Sequence, residues 1–338
     1  MAWLVFTVFG TGAAATRQQG ELSFAVLSAL KQGLEVEGAA PVQILLFCDA
    51  ANQRSDLPVH HLIHDTDPGL CGGLRMVADH LAAPFVMVAT ASVFKSPPAR
   101  LFDGLTDRPL VQSETGLLSS QAGYETFVDH IIAHSGTRPA ADAPAYDLGV
   151  LGLDPSRGYF SFLNKNNSSI GINTSERSNF EHFDLIQRIA SLGRPDVADA
   201  LVTLYTGRRH PIRHVYHGMQ RSMFPAGQPV NCALASRLPE VKMPPSPFGL
   251  RLRAKLGAMR RGFGLGTTAG YHAYLCAFAA PTDDGRDVWA NIALDHLEAS
   301  LAPRDRLARA LPRLAQDALD AAKLRPDTTA RWLAFWRG

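Results

Sequence analysis

Short apolar runs, separated by stretches of small and polar residues, dominate the first half of the chain and predict strands alternating with helices. Trp3 to Phe9 (WLVFTVF), Val42 to Phe47 (VQILLF) and Phe85 to Ala89 (FVMVA) are nearly continuous apolar runs of strand length, the pattern of strands buried on both faces of a parallel sheet. Pro58 to Ile63 predicts a shorter strand that alternates through His60 and His61. Leu22, Val26, Ala29 and Leu30 recur at helical spacing, as do Leu74, Val77 and Leu81. The resulting order, β-α-β-β-α-β, predicts an α/β fold: a mostly parallel, Rossmann-like sheet with helices on both faces.

The strand ending at Ala89 is the one around which the rest is organised. Bulk gives way to Ala89-Thr90-Ala91-Ser92, and Pro97 and Pro98 keep the chain from resuming as a helix before Ala99. Ligands of open α/β sheets sit beyond the carboxyl ends of strands, so a site is expected here. After Leu105 the pattern reads as loop, with one helical patch over Tyr124 to His134, until Tyr146 to Leu153 (YDLGVLGL) predicts another buried strand. Asn164 to Asn179 is polar and irregular, and Phe180 to Leu192 resumes helical spacing. Residues 239 to 247 are rich in proline, Leu250 to Arg261 is a short basic helix, and Leu307, Leu311, Leu314 and Leu319 continue in helical register past Pro312. The expected organisation is an α/β domain over residues 1–235, a Pro-rich linker over 236–249 and a basic helical C-terminal extension over 250–338.

Composition narrows the class. With 46% hydrophobic and 19% charged residues in 338, the chain is a folded protein and not a disordered one. The apolar opening MAWLVFTVFG has no basic residue before it and is too short to span a bilayer, so it reads as the first strand. Cys48, Cys71, Cys232 and Cys276 show no CxxC or Cys/His spacing; they point to a reducing cytoplasm and away from a zinc site. His60, His61 and His64 invite a metal reading, but neighbouring strand residues point to opposite faces.

A net charge of +2 hides an asymmetry. Residues 1–150 carry 8 basic and 15 acidic groups, residues 188–263 carry 13 and 3, and the last 75 balance at nine each. The cationic block favours an anionic partner. Without interleaved aromatics or a DNA-reading motif, no nucleic-acid partner is expected. The basic helix Leu250 to Arg261 suggests a peripheral contact with the inner face of a membrane. Three arginines and three histidines fall between Arg208 and His217; they form either a solvated basic face or an anion clamp.

The first strand runs into Gly10-Thr11-Gly12 and then a helix, an arrangement whose backbone N–H groups can face a phosphate. The dinucleotide fingerprint is incomplete: position 15 is alanine, and ATRQQG extends the loop before helical spacing begins. A nicotinamide-dependent oxidoreductase, with Asp49 on the ribose, is one alternative.

Taken in order over residues 3 to 225, these segments resemble the GT-A class of nucleotide-sugar glycosyltransferases, in particular bacterial ones of the family-eight type. The resemblance is carried by Phe9-Gly10-Thr11-Gly12 with Arg17, by Leu27-Ser28-Ala29-Leu30, by Asp49 at the end of the second strand and by Ala99-Arg100-Leu101-Phe102-Asp103. Further on it is carried by Asp147-Leu148-Gly149-Val150, Glu181-His182-Phe183 and Val215-Tyr216-His217-Gly218. It implies a GT-A-like fold and transfer of a sugar from a nucleotide-diphosphate donor, a UDP-sugar being favoured, to a glycan or other acceptor. In that reading Gly10, Thr11, Gly12 and Arg17 hold the nucleotide, Asp49 contacts base or ribose, and Thr90 and Ser92 line the diphosphate floor. Asp147 and Glu181 are the acids for acceptor positioning or base catalysis.

The family holds a divalent cation with Asp-x-Asp where this chain has Ala89-Thr90-Ala91. The alanines offer no oxygen to a hard cation. Two readings follow. Either Arg209, Arg213, His214 and His217 replace the metal at the leaving diphosphate, or the fold is kept as a catalytically inactive binding protein.

Overall fold

The computed structural model describes residues 1–121, 123–135, 142–157, 174–205, 214–216, 229–238, 244–300 and 324–337. The described chain forms two compact units, Met1–Leu204 with Gly227–Leu238 and Tyr205–Ala226 with Pro239–Gly338. Residues 301–323, with their predicted helical leucines, lie outside the described residues, as do most of 158–173 and 206–228.

The first unit is a mixed α/β layer structure. β1 (Ala2–Val8), β2 (Val42–Cys48), β3 (His60–Ile63) and β4 (Phe85–Val88) pair in parallel, with β1 between β2 and β4. β6 (Leu110–Leu117) and β7 (Pro144–Leu153) extend the sheet beyond β4, and the two-residue β8 (Asp196–Val197) closes it, giving seven strands in the order β3-β2-β1-β4-β7-β6-β8. Only β7 runs against the others: its pairings with β4 and β6 are antiparallel, whereas β6 and β8 are parallel. β5 (Ser92–Phe94) and β9 (Val202–Leu204) make a separate antiparallel pair.

Alternation along the strands feeds two helical layers. Val5, Leu45, Phe47, Phe85, Val111, Leu151 and Leu153 share a core with α2 (Gly69–Leu81), α3 (Tyr124–Ser135) and α4 (Thr174–Ser191). Leu4, Phe6, Ile44, Leu46 and Val86 are equally buried on the alternate positions, and α1 (Gly12–Gln32) packs against β1. Every residue of α1 from Glu21 to Ala29 is buried, because a second layer covers its outer side. Ser28 Oγ accepts from Phe94 N of β5 at 3.1 Å, and Lys31 Nζ donates to Leu238 O at 2.6 Å. Residues 229–238 return to this unit, where Asp56 Oδ2 accepts from Val230 N at 2.8 Å.

Three sequence expectations change. The stretch after Leu105, read as loop, contains β6 in the sheet interior; only Leu110 to Gln112 is buried and the strand then runs out as SETG, so it lacks the apolar signature of its neighbours. The ATRQQG segment, read as loop, is helical: α1 begins at Gly12, and Thr16 to Gly20 stay exposed or half-buried, so apolar spacing starts only at Leu22. Likewise Thr174 to Asn179, read as irregular, belongs to α4.

The described part of the second unit is helical: α5 (Phe248–Arg261), α6 (Leu265–Ala279), α7 (Asp283–Glu298) and α8 (Pro326–Arg337). Tyr274, Trp289, Leu294, Trp332 and Phe335 fill its core. A polar seam crosses that core. His214 Nε2 lies 2.6 Å from Asp295 Oδ2, Arg331 bonds both Asp295 and Glu298, and Asn291 Nδ2 donates to Thr328 Oγ1 at 2.8 Å. Burial raises the Asp295 carboxyl, but hydrogen bonds from His214 and Arg331 outweigh it and leave the group below its ordinary value.

Two stability outcomes follow from the first unit. A Cβ on Gly152 of β7 would meet Leu105 Cδ1 and Leu110 Cβ at 2.9 Å and Val86 Cγ2 at 3.1 Å. Gly152→Ala should therefore cost about 1–3 kcal/mol by overpacking, read as a lowered melting temperature with an unchanged circular-dichroism spectrum. Asp56 has a folded pKa lowered to about 2 by its hydrogen bonds from Arg54 and, against burial, from Val230. A depressed carboxylate stabilises the fold above its unfolded pKa and loses that contribution as pH falls through the folded value. The melting-temperature gap between wild type and Asp56→Asn should be full at pH 6 and shrink between about pH 4 and 2.

Candidate functional site

The carboxyl ends of β1, β2 and β4 lie side by side, and the loops that leave them are joined by hydrogen bonds. Gly10, just past β1, has φ of +86° and Gly12 has +82°. That backbone region is cheap only for glycine, and no atom lies within 4 Å of where either Cβ would stand. Glycine is thus needed here for conformation and leaves open space above the turn. Thr11 is the N-terminal cap of α1, with no hydrogen bond from its own side chain to the helix. Arg17 is exposed on the next turn.

Asp49, just past β2, closes this turn. Its Oδ2 accepts from Gly10 N at 2.7 Å and its Oδ1 accepts from Asn52 Nδ2, also at 2.7 Å. The Gly10 N–H holds the carboxyl below its ordinary value, helped by Asn52 and opposed by partial burial. The backbone N–H groups of Ala51 and Asn52 add to the donors around this carboxylate. Asn52 is itself buried and donates to Gly10 O at 2.8 Å, while its Oδ1 accepts from Gln19 Nε2 of α1 at 2.6 Å. Arg54 extends the network: it pairs with Asp56 at 2.7 Å and donates to Gln19 O and to Ser23 Oγ.

The end of β4 lies deeper. Ala89 N donates to Gly149 O at 2.8 Å, and Thr90 Oγ1 donates to Glu21 Oε2 at 3.3 Å. Glu21 is a buried carboxylate on α1, 3% exposed. Ser92 is fully buried, with no hydrogen-bond partner for its hydroxyl among the described residues. The residues here do not fit a divalent cation: Ala89 and Ala91 carry no ligand atom, and the Thr90 hydroxyl is engaged by Glu21. Among the described residues no three His, Cys, Asp or Glu side chains cluster as a metal site. His60 and His61 diverge, the first edge-on to Trp3 and the second accepting from Arg54 N at 3.1 Å.

Asp147 and Glu181 occupy different settings. Asp147 lies on β7, half-buried, and its Oδ1 accepts from Gly149 N at 2.8 Å. Burial lowers the His182 pKa, and the Asp147 charge only partly offsets it. Glu181, at the buried face of α4, accepts from Cys71 N at the start of α2 at 3.4 Å and would stand 3.2 Å from a Cβ at Gly69. It acts as a cap for α2. Of the cationic candidates, His214 belongs to the second unit and faces Asp295. Arg209, Arg213 and His217 lie outside the described residues.

The structure brings Gly10 and Asp49 together, with Thr11 and Gly12 in the same turn, and adds Asn52, Gln19 and Glu21, which the sequence had not singled out. The spacing Asp49-Ala-Ala-Asn52, one helical turn, was the available signal. Nothing in the sequence marked Glu21 as buried.

No family model matches the chain, and no curated protein sequence does. Among solved structures it is similar to the galactosyltransferase LgtC in complex with donor and acceptor sugar analogs, at 11% identity and TM-score 0.40 over 70% of this chain and all of that one. It is also similar to mouse xyloside xylosyltransferase 1, at 12% identity and TM-score 0.35 over 56% and 81%. A third is a putative glucose-1-phosphate thymidylyltransferase from Bacillus anthracis in complex with a sucrose, at 13% and 0.39 over 72% and 98%. Likeness of this extent assigns neither family nor activity to the chain.

Asn52 gives the site a direct check. Asn52→Ala removes the bonds to Gly10 O, Asp49 and Gln19 and leaves their polar atoms without it, so it should cost about 1–3 kcal/mol. Hydrogen exchange at the Gly10 amide should accelerate, whereas Asn52→Asp should keep less of the network than Asn52→Gln because a carboxylate cannot donate to Gly10 O.

Proposed function

We propose that the first unit binds a nucleotide-diphosphate sugar at the carboxyl ends of β1, β2 and β4 and transfers the sugar to a glycan or other acceptor. The observation that carries this reading is the glycine turn after β1, held open at the start of α1 by the Gly10 N–H to Asp49 bond. Backbone N–H groups at a helix start favour an anion, and the Asp49 carboxylate is an acceptor for ribose hydroxyls or base N–H groups. Arg17 supplies an exposed cation one turn along α1. Thr90 gives its hydroxyl to Glu21 and Ser92 is fully buried, so neither is assigned a bond to the diphosphate.

The chemistry needs a proton acceptor near the acceptor hydroxyl and a means of stabilising the departing diphosphate. Asp147 is the better-disposed acid, because Glu181 is engaged at the α2 N-terminus. With alanines at positions 89 and 91, a metal-free transfer needs cations at the leaving group; His214 is already engaged by Asp295, which leaves Arg209, Arg213 and His217 as the proposed ones. The same alanines favour one rival, a silent binding protein of this fold.

Melting temperatures in UDP, GDP, CMP and reduced nicotinamide cofactors, each with manganese and with a chelator, separate the readings. A ligand at about 100 times its Kd stabilises by about 2.7 kcal/mol. The expected outcome is stabilisation by UDP that is equal with chelator, lost in Asp49→Ala, together with turnover of a UDP-sugar. Arg213→Ala and His217→Ala should each lower turnover at least tenfold with the melting temperature unchanged. Stabilisation by UDP without turnover selects the binding protein, and stabilisation by none of the nucleotides overturns the proposal.

A further inference from the structure

Helix α5 packs on its unit through a face of small residues. Ala254 and Ala258 are buried, Leu250 is partly buried against the core, and a Cβ on Gly257 would come within 2.9 Å of the Tyr271 ring. The opposite side is apolar and uncovered: Phe248 is 77% exposed, Leu252 48%, Leu256 49% and Met259 79%. At about 100° per residue these four fall in one stripe roughly 80° wide, across the helix from Leu250, Ala254 and Gly257. Leu265, at the first position of α6, is 93% exposed.

Cations border that stripe on both sides. Helical geometry puts Arg251 and Lys255 along one edge and Arg253 and Arg260 along the other, and all four are exposed. The charge is uncompensated in sequence, since no Asp or Glu occurs between Glu240 and Asp283. A helix end also fits: Gly262 closes α5 in the left-handed conformation, with Arg260 and Arg261 in the last turn.

We propose that this face of α5 is an interfacial docking surface for an anionic lipid bilayer, with Phe248, Leu252, Leu256 and Met259 entering the acyl boundary and the flanking arginines and lysine on the headgroups. Helices that lie in the interface plane combine an apolar stripe with flanking cations in this way. Charge complementarity selects the occupant. A second copy of the chain would set this acid-free cationic face against itself across a two-fold axis, which like-charge repulsion opposes. No helix among the described residues is long and apolar enough to cross a membrane, so the contact is peripheral.

The test is co-sedimentation of the full chain with vesicles of phosphatidylcholine alone and of phosphatidylcholine mixed with phosphatidylserine, at low and high salt and without nucleotide. Binding is expected to the mixed vesicles and to weaken with salt. Phe248→Ser with Met259→Ser should abolish it. Arg251→Gln and Lys255→Gln should each weaken it about fivefold. All four positions are exposed, so circular dichroism and melting temperature should match wild type and show that loss of binding is not loss of fold. Failure to bind the mixed vesicles overturns the proposal, as does binding unchanged in the variants. Concentration-dependent self-association abolished by Phe248→Ser with Met259→Ser, without vesicle binding, would assign the face to a second copy instead. Because nucleotide is absent from the assay, the result stands apart from the outcome for sugar transfer.

Discussion

One buried carboxamide, Asn52, joins the segments from which the candidate site is built. It donates to the carbonyl of Gly10 and to Asp49, and it accepts from Gln19 on α1. A buried amide is costly unless its polar atoms are matched, and here the matching partners come from the ends of two parallel strands and from the helix between them. Their relative placement is therefore over-determined. Gly10 can keep a left-handed turn, and its N–H stays aimed at Asp49, because both sides of the turn are tied to the same side chain. The lowered Asp49 pKa is the electrostatic signature of that arrangement.

The sheet explains why the site is on one half of the unit. β1, β2, β3 and β4 run in parallel and deliver their carboxyl ends to one edge, whereas β7 enters antiparallel beside β4. On that side the edge receives the start of β7, including Asp147 and Gly149, instead of another strand end. The result is a boundary beside β4 where loops from parallel strands meet the beginning of an antiparallel one, and Ala89 N to Gly149 O spans it. Glycine is needed at position 149 because the Leu204 side chain lies where its Cβ would stand.

Charge is arranged differently in the second unit. Its buried acid Asp295 is matched by His214 and Arg331, and Arg331 reaches on to Glu298 at the surface, where Asp284 also pairs with Arg325. Breaking a buried pair leaves an uncompensated charge and costs more than the pair contributes. These contacts specify how the helices fit together more than they add stability. On α5 the cations have no acid on their own helix, and they flank apolar side chains that the fold leaves uncovered.

The sequence by itself determined the strands and helices whose apolar pattern is continuous. β1, β2 and β4 were legible because strands covered on both faces must be apolar at nearly every position, and Gly10, Gly12 and Asp49 because a strand-to-helix turn has characteristic residue types. β6 was not legible, since a strand that is buried for three residues and then exposed carries no period. The first turns of α1 were hidden for the same reason. Tertiary structure alone decided that β7 is antiparallel, that Glu21 is buried beside Thr90, that Glu181 caps α2 and that Asn52 is the hub of the strand-end loops. Each of these depends on which distant segments become neighbours, and hydrophobic periodicity reports which face of an element is covered, not what covers it.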